Sequence, residues 1–420
     1  SSCPKPGARE AAEHFPPLLG IGRVSKPAPQ DRVEALHQVR ALKMARSVHA
    51  YVRGNTAKFY EWLAQSPAAR RVAEGPSIWI CGDCHLGNLG PIADADENIE
   101  IQIRDLDQTV IGNPALDLVR LGLSLESAAR SSDLPGVTTA HMVQAMAEGY
   151  ALAIDPTDRT DVVEPALLRT VRKRAAGRRW RHLAEERIGD TDPDIKLGKR
   201  FWSISREERD SIHALFEEPA VREPALGLAG LSDAGRLRVV DAAYWKKGCS
   251  SLGNLRYAVL LGVREAGKKR EHFALVDIKE AVAPIAPAAD DAIMPSDDAE
   301  RVVAGARALA PHLGDRMIPA TLLGRPVVLR ELKPQDLKLE IEQFSRKEAV
   351  RAAGYLAHIV GRAHARQLNR EQRERWLATF SRKTDSELDA PSWLWRAIVD
   401  LAAAHEGGYL EHCRAYALAA

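Results

Sequence analysis

Strand-like runs in this chain gather into one block, residues about 241 to 332, with longer stretches of helical periodicity on either side. A chain arranged in this way builds one sheet and packs helices beside it, which predicts an α+β fold. Within the block, residues 255–261 and 273–278 are apolar runs joined by a polar link, as in a hairpin, and residues 325–330 make a further strand. Between them residues 297–309 read as a helix, with Asp297 or Asp298 available as its cap. Two more strand-like segments lie far upstream, residues 77–80 and 99–103, the second alternating apolar and polar with period two. A length of 420 residues can bury more than one core, so two lobes are expected. The divisions read as an N-terminal arm (1–30, rich in Pro), helical segments 31–240 and 333–420 that together make a large lobe, and a small β-rich lobe (241–332).

Basic and acidic residues nearly balance, 59 against 57, which gives no general reason to expect nucleic acid or an anionic membrane as partner. The densely basic stretch 169–187 is read as a solvated helix face. No apolar run reaches the roughly 18 residues of a membrane span. With five scattered cysteines and no secretory pattern at residues 1–6, a cytoplasmic location is expected.

The chemistry concentrates between the two upstream strands. Asp83 sits in a Gly-rich loop, Asn88 follows five residues on, and past the next strand comes Arg104-Asp105-Leu106-Asp107. A loop carboxylate can orient or deprotonate a hydroxyl, while an amide and a second carboxylate supply the oxygen ligands that Mg²⁺ takes. That spacing suits phosphoryl transfer; a lone Asp in such a loop is as readily a turn former.

These residues resemble the catalytic loop of aminoglycoside phosphotransferases and related small-molecule kinases, His-Gly-Asp-x-His-x-x-Asn, with Cys81 in place of the leading His. Residues 104–118 resemble the same family's metal-binding stretch. The resemblance implies Asp83 as catalytic base, Asn88 and Asp105 as metal ligands, and Asp117 as a brace on the loop from the next helix. A closer likeness covers most of the chain: Lys43-Met44-Ala45-Arg46-Ser47, Tyr51-Val52-Arg53-Gly54, Ile278-Lys279-Glu280-Ala281 and Ala363-His364-Ala365-Arg366 together resemble the bacterial family called domain of unknown function 2252. His85 is expected to anchor its loop, and Asp107 to be a solvated turn carboxylate able to assist with metal.

A nucleotide site is expected in the β-rich block. Gly248-Cys249-Ser250-Ser251-Leu252-Gly253 resembles a kinase Gly-rich loop, where glycines let backbone N–H groups approach phosphates. Val276-Asp277-Ile278-Lys279 resembles the kinase Val-Ala-Ile-Lys, and an ammonium closing a buried strand needs an anionic partner. Glu300 is the candidate to pair with Lys279, and adenine is expected against Glu331 and Leu332. The catalytic loop precedes this block instead of following it, so the reading is a circularly permuted, two-lobed kinase-like fold acting with ATP and Mg²⁺ on a small-molecule or protein acceptor. Rival readings are a catalytically idle nucleotide-binding scaffold and an enzyme transferring AMP. Cys81-Gly82-Asp83-Cys84-His85 also spells the c-type haem attachment motif, and Cys81, Cys84 and His85 are three potential Zn²⁺ ligands with no second Cys/His pair beside them.

Overall fold

Side-chain capping sets where the second and third helices begin. Helices α1 (Arg32–Met44), α2 (Val48–Gly54) and α3 (Thr56–Gln65) follow closely on one another. The side chains of Ser47 and Asn55 accept the Ala50 and Lys58 N–H groups, so α2 and α3 each begin on a side-chain cap. Four short strands come next in two antiparallel pairs: β1 (Ile78–Ile80) with β4 (Val110–Gly112), and β2 (Leu89–Ala93) with β3 (Ile99–Ile103). The computed structural model describes residues 28–419 apart from 156, 158–161, 188–193, 229–234, 250–251, 265–266, 268–270, 338, 340–344 and 381–389. The N-terminal arm therefore lies almost wholly outside the described residues.

Helix α4 (Ala115–Ser131) is buried on nearly every side, with Asp117, Arg120 and Ser124 among its buried residues. Around it pack α5 (Gly136–Ile154) and two C-terminal helices spanning Arg346–Ala365 and Ser392–Ala419; one large apolar cluster joins these elements to the four short strands. Two small helices, α6 (Ala166–Ala176) and α7 (Trp180–Arg187), lead to the short strand β5 (Phe201–Trp202), then α8 (Arg206–Glu217) and α9 (Pro219–Leu228). Helix α8 opens on a capping box between Ser205 and Glu208.

The sheet proper is six-stranded and antiparallel, in the order β5-β6-β7-β8-β10-β9. Its long members are β6 (Arg236–Trp245), β7 (Arg256–Arg264), β8 (His272–Glu280), β9 (Met317–Leu322) and β10 (Arg325–Glu331). Apolar residues at successive positions of β7 and β8 require cover on both faces. One face lies on α8 and α9 through Ile212, Phe216 and Leu226, and the other gathers Leu183, Ile195, Trp245, Leu260 and Leu275. The fold is thus a mixed α+β one with separate helical and sheet regions. The sheet also draws in residues ahead of position 241. Strand β6 escaped the sequence reading because a register shift between Val239 and Asp241 breaks its period-two alternation. Helix α10 (Asp298–Leu309) is capped by Asp297, which accepts the Ala299 and Glu300 N–H groups. The chain closes with α11 (Pro311–Gly314), α12 (Arg346–Ala365), α13 (Arg370–Ala378) and α14 (Ser392–Ala419).

Candidate functional site

The loop after β1 is held by its own backbone. Gly82 turns it at φ 72°, and a Cβ there would lie 2.2 Å from the Gln108 carbonyl oxygen, so only glycine fits. From the first turn of α4, the fully buried Asp117 accepts the Cys81 N–H at 2.7 Å and the Gly82 N–H at 3.0 Å. Asp117 also meets His364 Nε2 at 3.2 Å, and His364 Nδ1 lies 2.9 Å from the Tyr150 hydroxyl. The loop is thereby fixed from two helices, and His364 has a structural role.

Asp83 is 8% exposed on a cavity of about 160 Å³ that Asn88, Asp105, Asp107 and Arg40 also line. Its carboxylate accepts from Arg120 Nε at 2.8 Å and from the Thr56 hydroxyl at 2.9 Å. Asn88 Nδ2 donates to the Asp83 carbonyl at 3.0 Å, which leaves its side-chain oxygen as the ligand atom. His85 Nδ1 accepts the Gly87 N–H, and its Nε2 stands 4.0 Å from Asp83. Burial, reinforced by Arg120 and Arg53, holds His85 well below the usual histidine range, so the ring is neutral and anchors its loop.

Lys279, near the end of β8, reaches across to the segment after β3. Its Nζ is 3.0 Å from Asp105 Oδ1 and contacts Asp107 as well. Burial lowers the lysine, but the two carboxylates outweigh it and raise its pKa. Burial and the Asp105 charge push Asp107 up; burial opposes ionisation of Asp105 too, yet the ammonium holds it below the usual range. Asp107 is accordingly a half-buried ion-pair partner and not a solvated turn carboxylate. The pairing of Lys279 with Glu300 does not form: Glu300 is exposed on the first turn of α10, whose buried side carries Arg301, Val302 and Val303.

The Gly-rich stretch is the turn between β6 and β7. Gly248 and Gly253 adopt φ of 92° and 109°, and Lys43 donates to the Gly248 carbonyl at 2.8 Å; Ser250 lies outside the described residues. At the other end of the sheet the expected adenine contacts are already used. The Leu332 N–H donates to the Leu275 carbonyl, and the Glu331 carbonyl accepts from Arg316. Leu332 belongs to the cluster containing Leu183, Ile195 and Trp245, while Glu331 lies on the opposite face, beside Phe216 and Leu329. Packing from a segment some 140 residues upstream fills this place, which no local pattern announces.

Sequence reasoning missed Arg120, Thr56, Arg256 and Asp277. Arg256 pairs with Asp277 through two hydrogen bonds, of 3.0 and 2.6 Å, and Lys247 adds a third contact at 3.3 Å. Burial opposes the Asp277 charge, but these cations hold its carboxyl low. Arg256 and Asp277, with Arg104, Arg330 and Lys279, line a second cavity of about 60 Å³ that shares Asp105 and Asp107 with the first. The usable signal was charge in two otherwise apolar runs, Arg256 at the start of β7 and Asp277 within β8, each of which needs a partner. Cys81 and Cys84 are fully buried, and with Asp117 they offer three possible ligand atoms within 4.8 Å of one another; both Asp117 oxygens already hold the loop.

No helix among the described residues is long and apolar enough to cross a membrane. Residues 32–415 match the family described as an uncharacterized protein conserved in bacteria, DUF2252. No curated protein and no solved structure matches the chain.

Proposed function

The chain belongs to the DUF2252 family, and from that starting point we propose that it is an ATP- and Mg²⁺-dependent phosphotransferase of kinase-like, circularly permuted fold. One observation carries the reading: a lysine closing a sheet strand lies against Asp105 and Asp107, and those two carboxylates line a cavity together with Asp83 and Asn88. The sheet with its Gly-rich turn follows the catalytic loop in sequence, and rewiring of that kind is tolerated where chain ends lie at the surface.

In this reading Asp83 receives the proton of the attacking hydroxyl, and Arg120 and Thr56 keep its carboxylate aimed at the cavity. Asp105, Asp107 and the Asn88 side-chain oxygen are the hard oxygen donors that Mg²⁺ prefers, so the residues present fit the ion. The ion, when bound, would offset phosphate charge. Lys279 leaves its carboxylates for the phosphates, and the cations around Asp277 keep the neighbouring cavity electropositive.

Calorimetry of ATP with and without Mg²⁺ tests the proposal. Metal-dependent binding that Asp105→Ala weakens is expected, with Asp83→Ala abolishing turnover while ATP binding persists. Turnover unchanged in Asp83→Ala sinks the assignment. A second reading, a catalytically idle scaffold, is favoured by the filled face around Leu332; wild-type protein that binds no nucleotide would select it.

A further inference from the structure

The cavity beside Asp83 has one cation of its own whose charge is not spent on a carboxylate. Arg40, from α1, donates to the Gly54 carbonyl at 3.3 Å, and its Nε is buried with no partner. Lys43, one turn further along α1, donates to the Gly248 carbonyl. Among the described residues neither has an acidic partner. Arg53, from α2, lies over the catalytic loop, where a Cβ on Gly87 would be 2.6 Å from its guanidinium. Arg40, Lys43 and Arg53 all act on the thiol of Cys249, which places them around the Gly-rich turn. Burial lowers the Lys43 pKa, and Lys246 and Arg46 lower it further, as for a cation crowded by like charges. Of the carboxylates that line the same cavity, Asp83 is paired with Arg120, while Asp105 and Asp107 share the single ammonium of Lys279. The charge that α1 itself brings to this cavity, on Arg40, is positive.

On the phosphotransfer reading, we propose that the acceptor is a small hydroxylated anion, a carboxylate or phosphate monoester, whose charged end is bound by Arg40 and Lys43 while its hydroxyl reaches Asp83. Guanidinium and ammonium groups recognise both anion types. The size of the cavity, about 160 Å³, is below the roughly 300–1,000 Å³ of drug-sized sites. A polycationic aminoglycoside would meet like charge here, so the family of the catalytic loop does not carry over its substrate. In the transfer the acceptor oxygen forms a bond to the γ-phosphorus of ATP. The bond from that phosphorus to its bridging oxygen breaks, ADP leaves with the electron pair, and the hydroxyl proton passes to Asp83.

The test compares four three-carbon probes that differ mainly in charge: glycerate, glycerol 3-phosphate, glycerol and 2-aminopropane-1,3-diol. Binding to the full chain is followed by ligand-observed NMR, with and without a non-hydrolysable ATP analogue and Mg²⁺. One or both anions should bind at least tenfold tighter than the neutral and cationic probes, and Arg40→Gln should remove that margin. Binding should survive addition of the nucleotide analogue. The relative response of the two anions separates a carboxylate from a phosphate acceptor. Equal binding of glycerol, no binding of any probe, or an Arg40→Gln variant that keeps the anion preference overturns the inference. Anion binding displaced by the nucleotide analogue also overturns it, since the cluster would then be a nucleotide phosphate site. If the analogue fails to bind while the anions bind, the phosphotransfer reading falls and the anion site stands alone.

Discussion

Replacing Arg120 by Met should destabilise the protein by about 3 kcal/mol. Arg120 is fully buried in α4 and holds both Asp83, at 2.8 Å, and the Val52 carbonyl, at 2.6 Å. Its loss strands a carboxylate that keeps only the Thr56 hydroxyl, and removing one partner of a buried ion pair costs about 3–5 kcal/mol. The Val52 carbonyl loses its side-chain donor, which adds to that cost. Against this, Arg120 Nη1 is buried without a partner, and methionine relieves that standing cost beside the Phe59 ring. The balance falls at the low end of the range, about two orders of magnitude in the folding equilibrium. Urea unfolding followed by tryptophan fluorescence reads it, with Asp83→Asn and the double variant completing a cycle. Asp83→Asn/Arg120→Met should lie within about 1.5 kcal/mol of wild type, because a neutral amide needs no cation, so the second substitution should restore part of the stability lost in Arg120→Met. An Arg120→Met protein within 1 kcal/mol of wild type, or a double variant as unstable as the sum of the singles, refutes the assignment of Arg120 as the buried counter-ion of Asp83.

Other outcomes follow from the same geometry. Asp336 is buried between Arg316 and Arg330, at 3.0 Å from each; burial opposes its charge but the guanidiniums depress its folded pKa. Its stabilising contribution is complete above the unfolded aspartate value of about 3.9 and is lost as pH falls through the lower folded value. Asp336→Asn should therefore be less stable at pH 7 and show a smaller loss of stability between pH 5 and 2 than wild type, measured by urea midpoints; an unchanged acid limb would falsify this. Glu300→Ala should leave nucleotide binding and stability within about 0.5 kcal/mol of wild type, since the side chain is exposed and Lys279 is held elsewhere. Cys81 and Cys84 should resist a disulfide labelling reagent until the protein opens, while the half-buried Cys249 and Cys413 react first; mass spectrometry of quenched samples resolves the order. For Cys81 the hydrogen bond with Cys84, together with burial, pushes the thiol up.

Much of the local structure was legible in the residues alone. The β7–β8 hairpin, the Asp297 cap and the short strands β1 and β3 rest on side-chain alternation, turn chemistry and capping, all settled within a few residues. The sequence also required an anionic partner for Lys279, because a buried ammonium must be neutralised. Tertiary structure decided which anion. Asp105 and Asp107 lie 174 and 172 positions away in the chain, and Glu300, much nearer in sequence, turns to solvent. It likewise decided that Arg120 backs Asp83, that Arg256 answers Asp277, and that residues around Leu183 occupy the face beside Leu332. A residue's own chemistry states that it needs a partner or a cover. Which group supplies it depends on how distant elements pack, and no short-range pattern records that.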